Sequence, residues 1–336
     1  MRNPHTNRRL RPPKRAPKLT PKRALQAAVL LALWTLWSLF APDTDTRSGK
    51  SAEVFDDIPA KESAESGKVR ICTWNVRNYS VAGRRVDGKY IQAPKPEAEK
   101  AALRRALVAI NADVVLIDEM GDIEFLKELR NDLAKDGLVY NYISTTRYDS
   151  TSRLAILSRI KPERFVDCCD IKFPFRGDNR YSPRGTLGAS FETLGTKWHA
   201  FAVHLKSPQG ARKSDENFMP FRFAELRAID ARIVSEIGKR QNVIMAGDFN
   251  QEPSQALLRN LKNLKLGLLE QSDSAGMPHT YIWTKKNAAF RYDFFLVSPQ
   301  MAEFVAGKAV IFRGIDGASD HYPVYVDLDF SKAKTN

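Results

Sequence analysis

Apolar and polar residues follow two periods along this chain, and the switches between them outline its elements. "KVRICTW" (68–74) alternates with period two, which predicts a strand with one face toward a core. A polar, glycine-containing loop is expected from Asn78 to about Ala93. "PEAEKAALRRALVAI" then repeats its apolar positions at helical spacing, with Pro96 suited to a first turn. "DVVLI" reads as a short buried strand and "DIEFLKELRNDLAK" as a second helix. The period shortens again through "LVYNYIS", "RLAILS", "TLGASFE" and "KWHAFAVHL", four successive strands. A long helix is predicted over about Glu216 to Lys239, followed by the core strand "NVIMAG". "YDFFLVS", "KAVIF" and "YPVYVDLDF" complete the pattern as strands. Strands outnumber helices, and the helices come singly between groups of strands. That order favours two packed sheets with helices outside over one doubly wound parallel sheet.

The N-terminal part departs from this pattern. Residues Ala24 to Ala41, "ALQAAVLLALWTLWSLFA", carry no charge and sit behind a basic tail, residues 1–23. Eighteen helical residues span about 27 Å, close to the roughly 30 Å of a bilayer's hydrocarbon. A secretory signal peptide has a shorter apolar stretch and a small-residue cleavage site. "APDTDTRSG" offers no clean site of that kind, so an uncleaved transmembrane anchor over 24–41 is the expectation. The basic end would lie in the cytoplasm and the rest outside it. Were the segment cleaved, the protein would be secreted. Residues 42–67 are polar and read as a flexible linker, with a catalytic domain over 68–331.

Composition adds two constraints. The formal charge is +14, but nine Lys and Arg fall in the first 23 positions, which leaves +5 for the remainder. Base therefore argues only weakly for a polyanionic partner. The three cysteines, Cys72, Cys168 and Cys169, make neither a disulfide framework nor a metal-binding spacing.

Chemistry gathers where strands end. "CTWN" closes the first strand at Asn75, and "VVLIDEM" closes another with Asp118 and Glu119. His204 lies near the end of "KWHAFAVHL", Asp248 and Asn250 follow "NVIMAG", Asp293 opens "DFFLVS", and Asp320 and His321 precede the last strand. Asp248 and Asn250, two apart, are expected to point the same way by strand alternation. In stacked sheets such boundaries collect at one rim. Carboxylates and an amide oxygen suit hard cations such as Mg²⁺, Mn²⁺ or Ca²⁺, and a His–Asp pair beside one can activate water at a phosphoryl group.

"TWNV", "LIDEM", "HLKS", "GDFN", "YDFFLVS" and "SDHYPV" resemble, in order, the motifs of the endonuclease/exonuclease/phosphatase superfamily, most of all its deoxyribonuclease-like branch. The resemblance implies a four-layer α/β/β/α sandwich of two mixed sheets. It implies that Glu119 and Asn75 hold the metal, with Asp320 a further acid of that site. It implies that Asp248 and Asn250 orient water and grip phosphate, and that His321, oriented by Asp293, is the catalytic histidine. His204 resembles a second histidine that contacts phosphate or protonates the leaving oxygen, and Arg184 a phosphate-binding arginine. Asp118 stands where the family usually has Gln. Val76 and Arg77 replace the acid of abasic-site nucleases, and "FRYDFFLVS" lacks the inositol-phosphatase string.

Trp74, Phe249 and His199 are expected in the framework, as are His5 and His279. The basic runs around Arg84 and Arg85 and from Lys206 to Lys213 could follow a nucleic-acid backbone. The expectation is thus a membrane-anchored, monomeric, metal-dependent phosphodiesterase with a nucleic acid, DNA or RNA, as substrate. The alternatives are a lipid-headgroup phosphodiesterase or phosphatase of the same fold, and an inactive membrane-bound binding module.

Overall fold

The structure is a computed structural model that describes residues 52–55, 66–147, 152–208 and 218–332. The basic tail and the proposed anchor lie outside the described residues. Among the described residues no helix is long and apolar enough to cross a membrane.

The period-two runs pair into two mixed sheets. One has eight strands with Lys68–Tyr79 near its centre, parallel to Val114–Met120 and antiparallel to Val324–Asp329. The other has six, with Val243–Asp248 parallel to Thr196–His204 and antiparallel to Asp293–Val297.

Alternation along each strand decides what it packs against. Ile71, Val114 and Leu116 face Ala200, Ile244 and Phe295 in a core shared by the two sheets. Their neighbours Cys72, Val115 and Ile117 point the other way, onto Leu103 and Leu107 of helix Glu97–Ile110 and Leu126 and Leu129 of helix Ile123–Lys135. In the second sheet Val203, Val243 and Met245 turn outward onto Leu226, Ile229 and Ile233 of helix Met219–Ile237. Helices, sheet, sheet and helix therefore form four layers, each joined to the next by apolar burial.

Two expectations need correction. The loop expected over 78–93 is a hairpin, Ala82–Val86 against Lys89–Ala93, turned at Asp87 and Gly88 with φ of 48° and 79°. Asp-Gly with both φ positive is a strong short hairpin signal, here passed over among polar residues. The linker is not a spacer throughout, because Ala52–Val54 pairs with Tyr142–Thr145 as an edge strand. Arg84 of the first hairpin is half-buried, with its guanidinium turned to backbone carbonyls. Its guanidinium donates to the carbonyls of Asn78 and Ala93, which fastens the hairpin to the end of the first long strand.

The three cysteines are free, with Cys72 and Cys168 buried. Trp74 and Phe249 are core residues as expected, Phe249 stacked on Phe294 with ring centroids 4.1 Å apart. His199 is a framework residue whose Nδ1 is 2.8 Å from the Ser190 hydroxyl.

Candidate active site

Strand register builds the site. His204 sits opposite Asp248, and Asp248 opposite Asp293, in one row across the end of the six-stranded sheet. In the other sheet Asn75 sits opposite Asp118. Opposed residues share a face, so each row delivers its polar groups to one rim.

Local backbone irregularities aim these groups. The Asn75/Asp118 ladder slips before Tyr79 and Met120, and Glu119 in the slip has φ 64°. A bulge of this kind redirects a side chain out of the pleat. Glu119 Oε2 accepts the N–H of Asn78 at 3.0 Å, and Oε1 lies 3.3 Å from Asn75 Nδ2. Gly247 has φ 148°, and a Cβ there would lie 1.8 Å from the Val203 carbonyl oxygen. Only glycine lets that strand approach its neighbour so closely just before Asp248.

Asp248 and Asn250 are brought together, though not by strand alternation. The strand ends at Asp248, and Asn250 turns back with φ 51°, its N–H donating to Asp248 Oδ1 at 2.7 Å. This is a side-chain turn of the kind Asp favours. The Asn250 amide donates once, to the Leu205 carbonyl at 3.0 Å.

Asp248 Oδ2 is the hub. Asn75 Nδ2 donates to it at 3.1 Å, His204 Nε2 lies 3.5 Å away and His321 Nε2 3.9 Å. His321 Nδ1 is 2.8 Å from Asp293 Oδ2, which also accepts the Thr280 hydroxyl at 2.6 Å. The indole N–H of Trp74 donates to the His321 carbonyl at 2.9 Å, tying the histidine loop to the first strand.

Electrostatics follow from burial among like charges. Burial and the Asp248 charge raise the Asp118 carboxyl well above the usual carboxylate range. Burial also raises Asp248; Asp293 and Glu119 add to the effect while His321 opposes it. For His321 burial favours the neutral ring, but Asp293 and Asp248 outweigh it and hold the imidazole cationic above its ordinary range. His204 lacks such compensation: burial, with Arg184 and His321 nearby, keeps it neutral.

The sequence candidates therefore converge. Asp248, Asn250, His204, His321, Glu119, Asp320 and Arg184 line one cleft of about 1520 Å³, with Asn75 and Asp293 buried in its floor. Asp320 is the outlier, 38% exposed and 3.9 Å from Arg77 Nε at the rim.

Residues 72–321 match the model of the Endonuclease/Exonuclease/phosphatase family. The chain belongs to that family. Its members are metal-dependent phosphoester hydrolases, and so is this protein. No curated protein matches the sequence. Among solved structures it is similar to sphingomyelinase C from Streptomyces griseocarneus (16% identity, TM-score 0.55, 78% of this chain and 99% of that one). A beta toxin variant from Staphylococcus aureus with bound magnesium ions aligns with 17% identity and a TM-score of 0.54, over 77% and 99% of the two chains. NExo, a 3′ phosphatase from Neisseria bound to product DNA hairpin, aligns with 18% identity and a TM-score of 0.50, over 78% and 99%. At such identities the likeness is one of fold.

The family's cofactor is a divalent cation, magnesium foremost, and the residues here fit it. Glu119, Asp248 and Asp320 bring hard oxygen donors to one cleft, with no cysteine among the groups that line it. Burial raises the proton affinities of Asp118 and Asp248, and neighbouring carboxylates add to it, so a cation bound here would offset charge that burial disfavours. Asp248, Asp293 and His321 also lie within 4.8 Å of one another. Asp293 Oδ2 is engaged by His321 Nδ1 and the Thr280 hydroxyl, while its Oδ1 is buried without a hydrogen-bond partner.

Sequence reading missed several cleft residues. Tyr281, Trp283 and Phe290 stand on a second hairpin, Tyr281–Trp283 against Ala288–Phe290, and Tyr292 follows it. Aromatic residues on either side of "TKKN" were the available signal. Arg222 lines the cleft from the long helix, donating to Gln251 and to the Lys206 carbonyl. Helical periodicity marks it only as polar.

Proposed function

We propose that this protein is a nuclease, a phosphodiesterase that cleaves DNA or RNA by in-line attack of water. The observation that carries the reading is the Asp248–His321–Asp293 relay in the floor of a cleft also lined by Arg77, Arg184, Lys206 and Lys285. Cations of this kind follow a phosphate backbone.

In this reading Asp248 Oδ2 orients the water and takes its proton, for which its raised proton affinity suits it. The water oxygen bonds to phosphorus as the bond to the leaving oxygen breaks. His321, kept cationic by Asp293, stabilises charge developing on a phosphoryl oxygen. The Asn250 amide retains a second N–H for phosphate, and Arg184 contributes a further donor. Neutral His204 offers the leaving oxygen a hydrogen bond, and solvent supplies the proton. Magnesium, held by Glu119 with Asn75 and Asp320, would offset the negative charge of the phosphate.

The chain is further proposed to act as a monomer tethered through residues 24–41, with the catalytic domain outside the cytoplasm. The uncharged eighteen-residue stretch behind a basic tail supports this. A periplasm-facing or surface-facing epitope test on intact cells checks it, and cytoplasmic exposure of the domain refutes it.

A second reading, a lipid-headgroup phosphodiesterase, is favoured by the exposed Val86, Tyr90 and Ile91 on the first hairpin and Val81 just before it, of which Tyr90 also lines the cleft. Hydrolysis of plasmid DNA, RNA, sphingomyelin and phosphoinositides in Mg²⁺ separates the two. Intact nucleic acid beside cleaved lipid would exclude the nuclease.

A further inference from the structure

The second hairpin is fastened to the histidine loop rather than to the cores. Tyr281 bridges His321, Ile282 N–H donates to the Asp320 carbonyl at 3.3 Å, and Tyr322 N–H donates to the Thr280 carbonyl at 2.8 Å. Three of its rings form a compact cluster beside the relay, with Tyr281 and Phe290, paired across the hairpin, 6.3 Å apart. The Tyr281 ring lies 4.6 Å from the His321 ring, Tyr292 follows at 5.5 Å and 15°, and Phe290 lies 5.0 Å and 17° from Tyr292. Trp283 stands toward the hairpin tip, with the Lys286 ammonium 4.0 Å over its ring. Exposed Lys285 lies beside it.

Aromatic residues at strand spacing are more often core than binding surface. These four take no part in the three apolar cores, are only half-buried, and line the same cleft as His321. A cluster of nearly parallel rings at the cleft wall, with ammonium groups alongside, matches flat bases joined by phosphates. A duplex keeps its bases paired and stacked on one another, closed to such a surface. Lipid headgroups offer no flat aromatic base: inositol is a puckered, hydroxylated ring, and choline meets a ring face only through its ammonium.

We infer that the cleft takes single-stranded nucleic acid, with bases next to the cleaved phosphate stacking on the Tyr281–Tyr292–Phe290 cluster and on Trp283 while Lys285 and Lys286 hold the backbone. The inference rests on the nuclease reading and narrows it. The sugar–phosphate chain provides the charge contacts and the bases the stacking contacts. Removing bases from the substrate therefore weakens binding without touching the protein.

The test uses the full-length chain with Mg²⁺ at fixed salt and three substrates of equal length. These are a single-stranded oligonucleotide, its duplex, and the same strand with abasic tetrahydrofuran units flanking the scissile position. Each stacked base contributes a factor of about ten in affinity. The expected result is kcat/KM at least about ten-fold higher for the base-bearing single strand than for either alternative. Trp283→Ala should raise KM for that strand about ten-fold with little change in kcat. Equal cleavage of duplex and single strand overturns the inference while leaving the nuclease reading intact. So does equal cleavage of the abasic and base-bearing strands. If all three survive while sphingomyelin is hydrolysed, the nuclease reading itself falls, and this inference with it.

Discussion

Asp118 Oδ2 accepts the backbone N–H of Asp248 at 2.7 Å, joining residues 130 positions apart on different sheets. The family usually has Gln at the position of Asp118. Here the acid is buried, its other oxygen is without a hydrogen-bond partner, and its carboxyl is raised well above the usual range. A neutral acid behaves like an amide, one oxygen accepting and the other group carrying hydrogen. The departure therefore preserves the acceptor that holds the active-site strand.

Asp118→Asn is accordingly expected to keep most activity and stability. Asp118→Ala leaves the Asp248 N–H buried and unpaired, at a cost of about 1–3 kcal/mol, and loosens the hub of the site. Thermal unfolding and kcat of the two variants check this. An Asn variant as damaged as the Ala variant refutes the amide-like role.

Asp248→Asn removes the group that receives the water proton. The fall in kcat should be roughly 10²- to 10⁴-fold with KM changed little. A variant retaining more than a tenth of wild-type turnover would move the base elsewhere.

His321 gives a pH-dependent prediction. Its folded proton affinity is raised because Asp293 and Asp248 outweigh burial, so the imidazolium stabilises the fold. That contribution is fully present below the unfolded value of about 6.5 and is lost as pH rises through the raised folded value. In metal-free protein, the Tm advantage of wild type over His321→Gln should shrink from pH 6 toward alkaline pH. A gap that widens with pH contradicts the assignment.

Metal binding is predicted to depend on Glu119. Mg²⁺ should raise the Tm of the wild type in a concentration-dependent way, since a ligand of the native state alone stabilises by mass action. EDTA should abolish turnover, and Glu119→Gln should lose both effects while folding normally. Calorimetry showing equal Mg²⁺ affinity in the variant would place the ion on other residues.

Gly247→Ala tests the backbone at the site. The φ of 148° alone costs about 1–3 kcal/mol in a residue with a side chain, and the new Cβ meets the Val203 carbonyl oxygen at 1.8 Å. A clear fall in Tm and in kcat is expected. Unchanged unfolding would mean that the strand relaxes freely there.

Much of this protein was determined locally and so was legible in the chain. Period-two runs such as "NVIMAG" and 3.6-period runs such as "ALRRALVAI" specify strand and helix through which face they can bury. The polar residues that end those runs marked nearly every group now found around Asp248. Tertiary structure decided what spacing could not express. Asn75, Glu119, Asp248 and His321 converge only because two sheets pack with their site-bearing rims together. The Glu119 bulge depends on a register slip between partner strands. Asn250 faces the cleft through a side-chain turn, not strand alternation. The protonation of His321 and His204 diverges for the same reason, since two histidines alike in sequence differ in how many carboxylates surround them once buried. Local pattern is a property of neighbours in the chain, whereas charge, proton affinity and catalytic reach depend on neighbours in space.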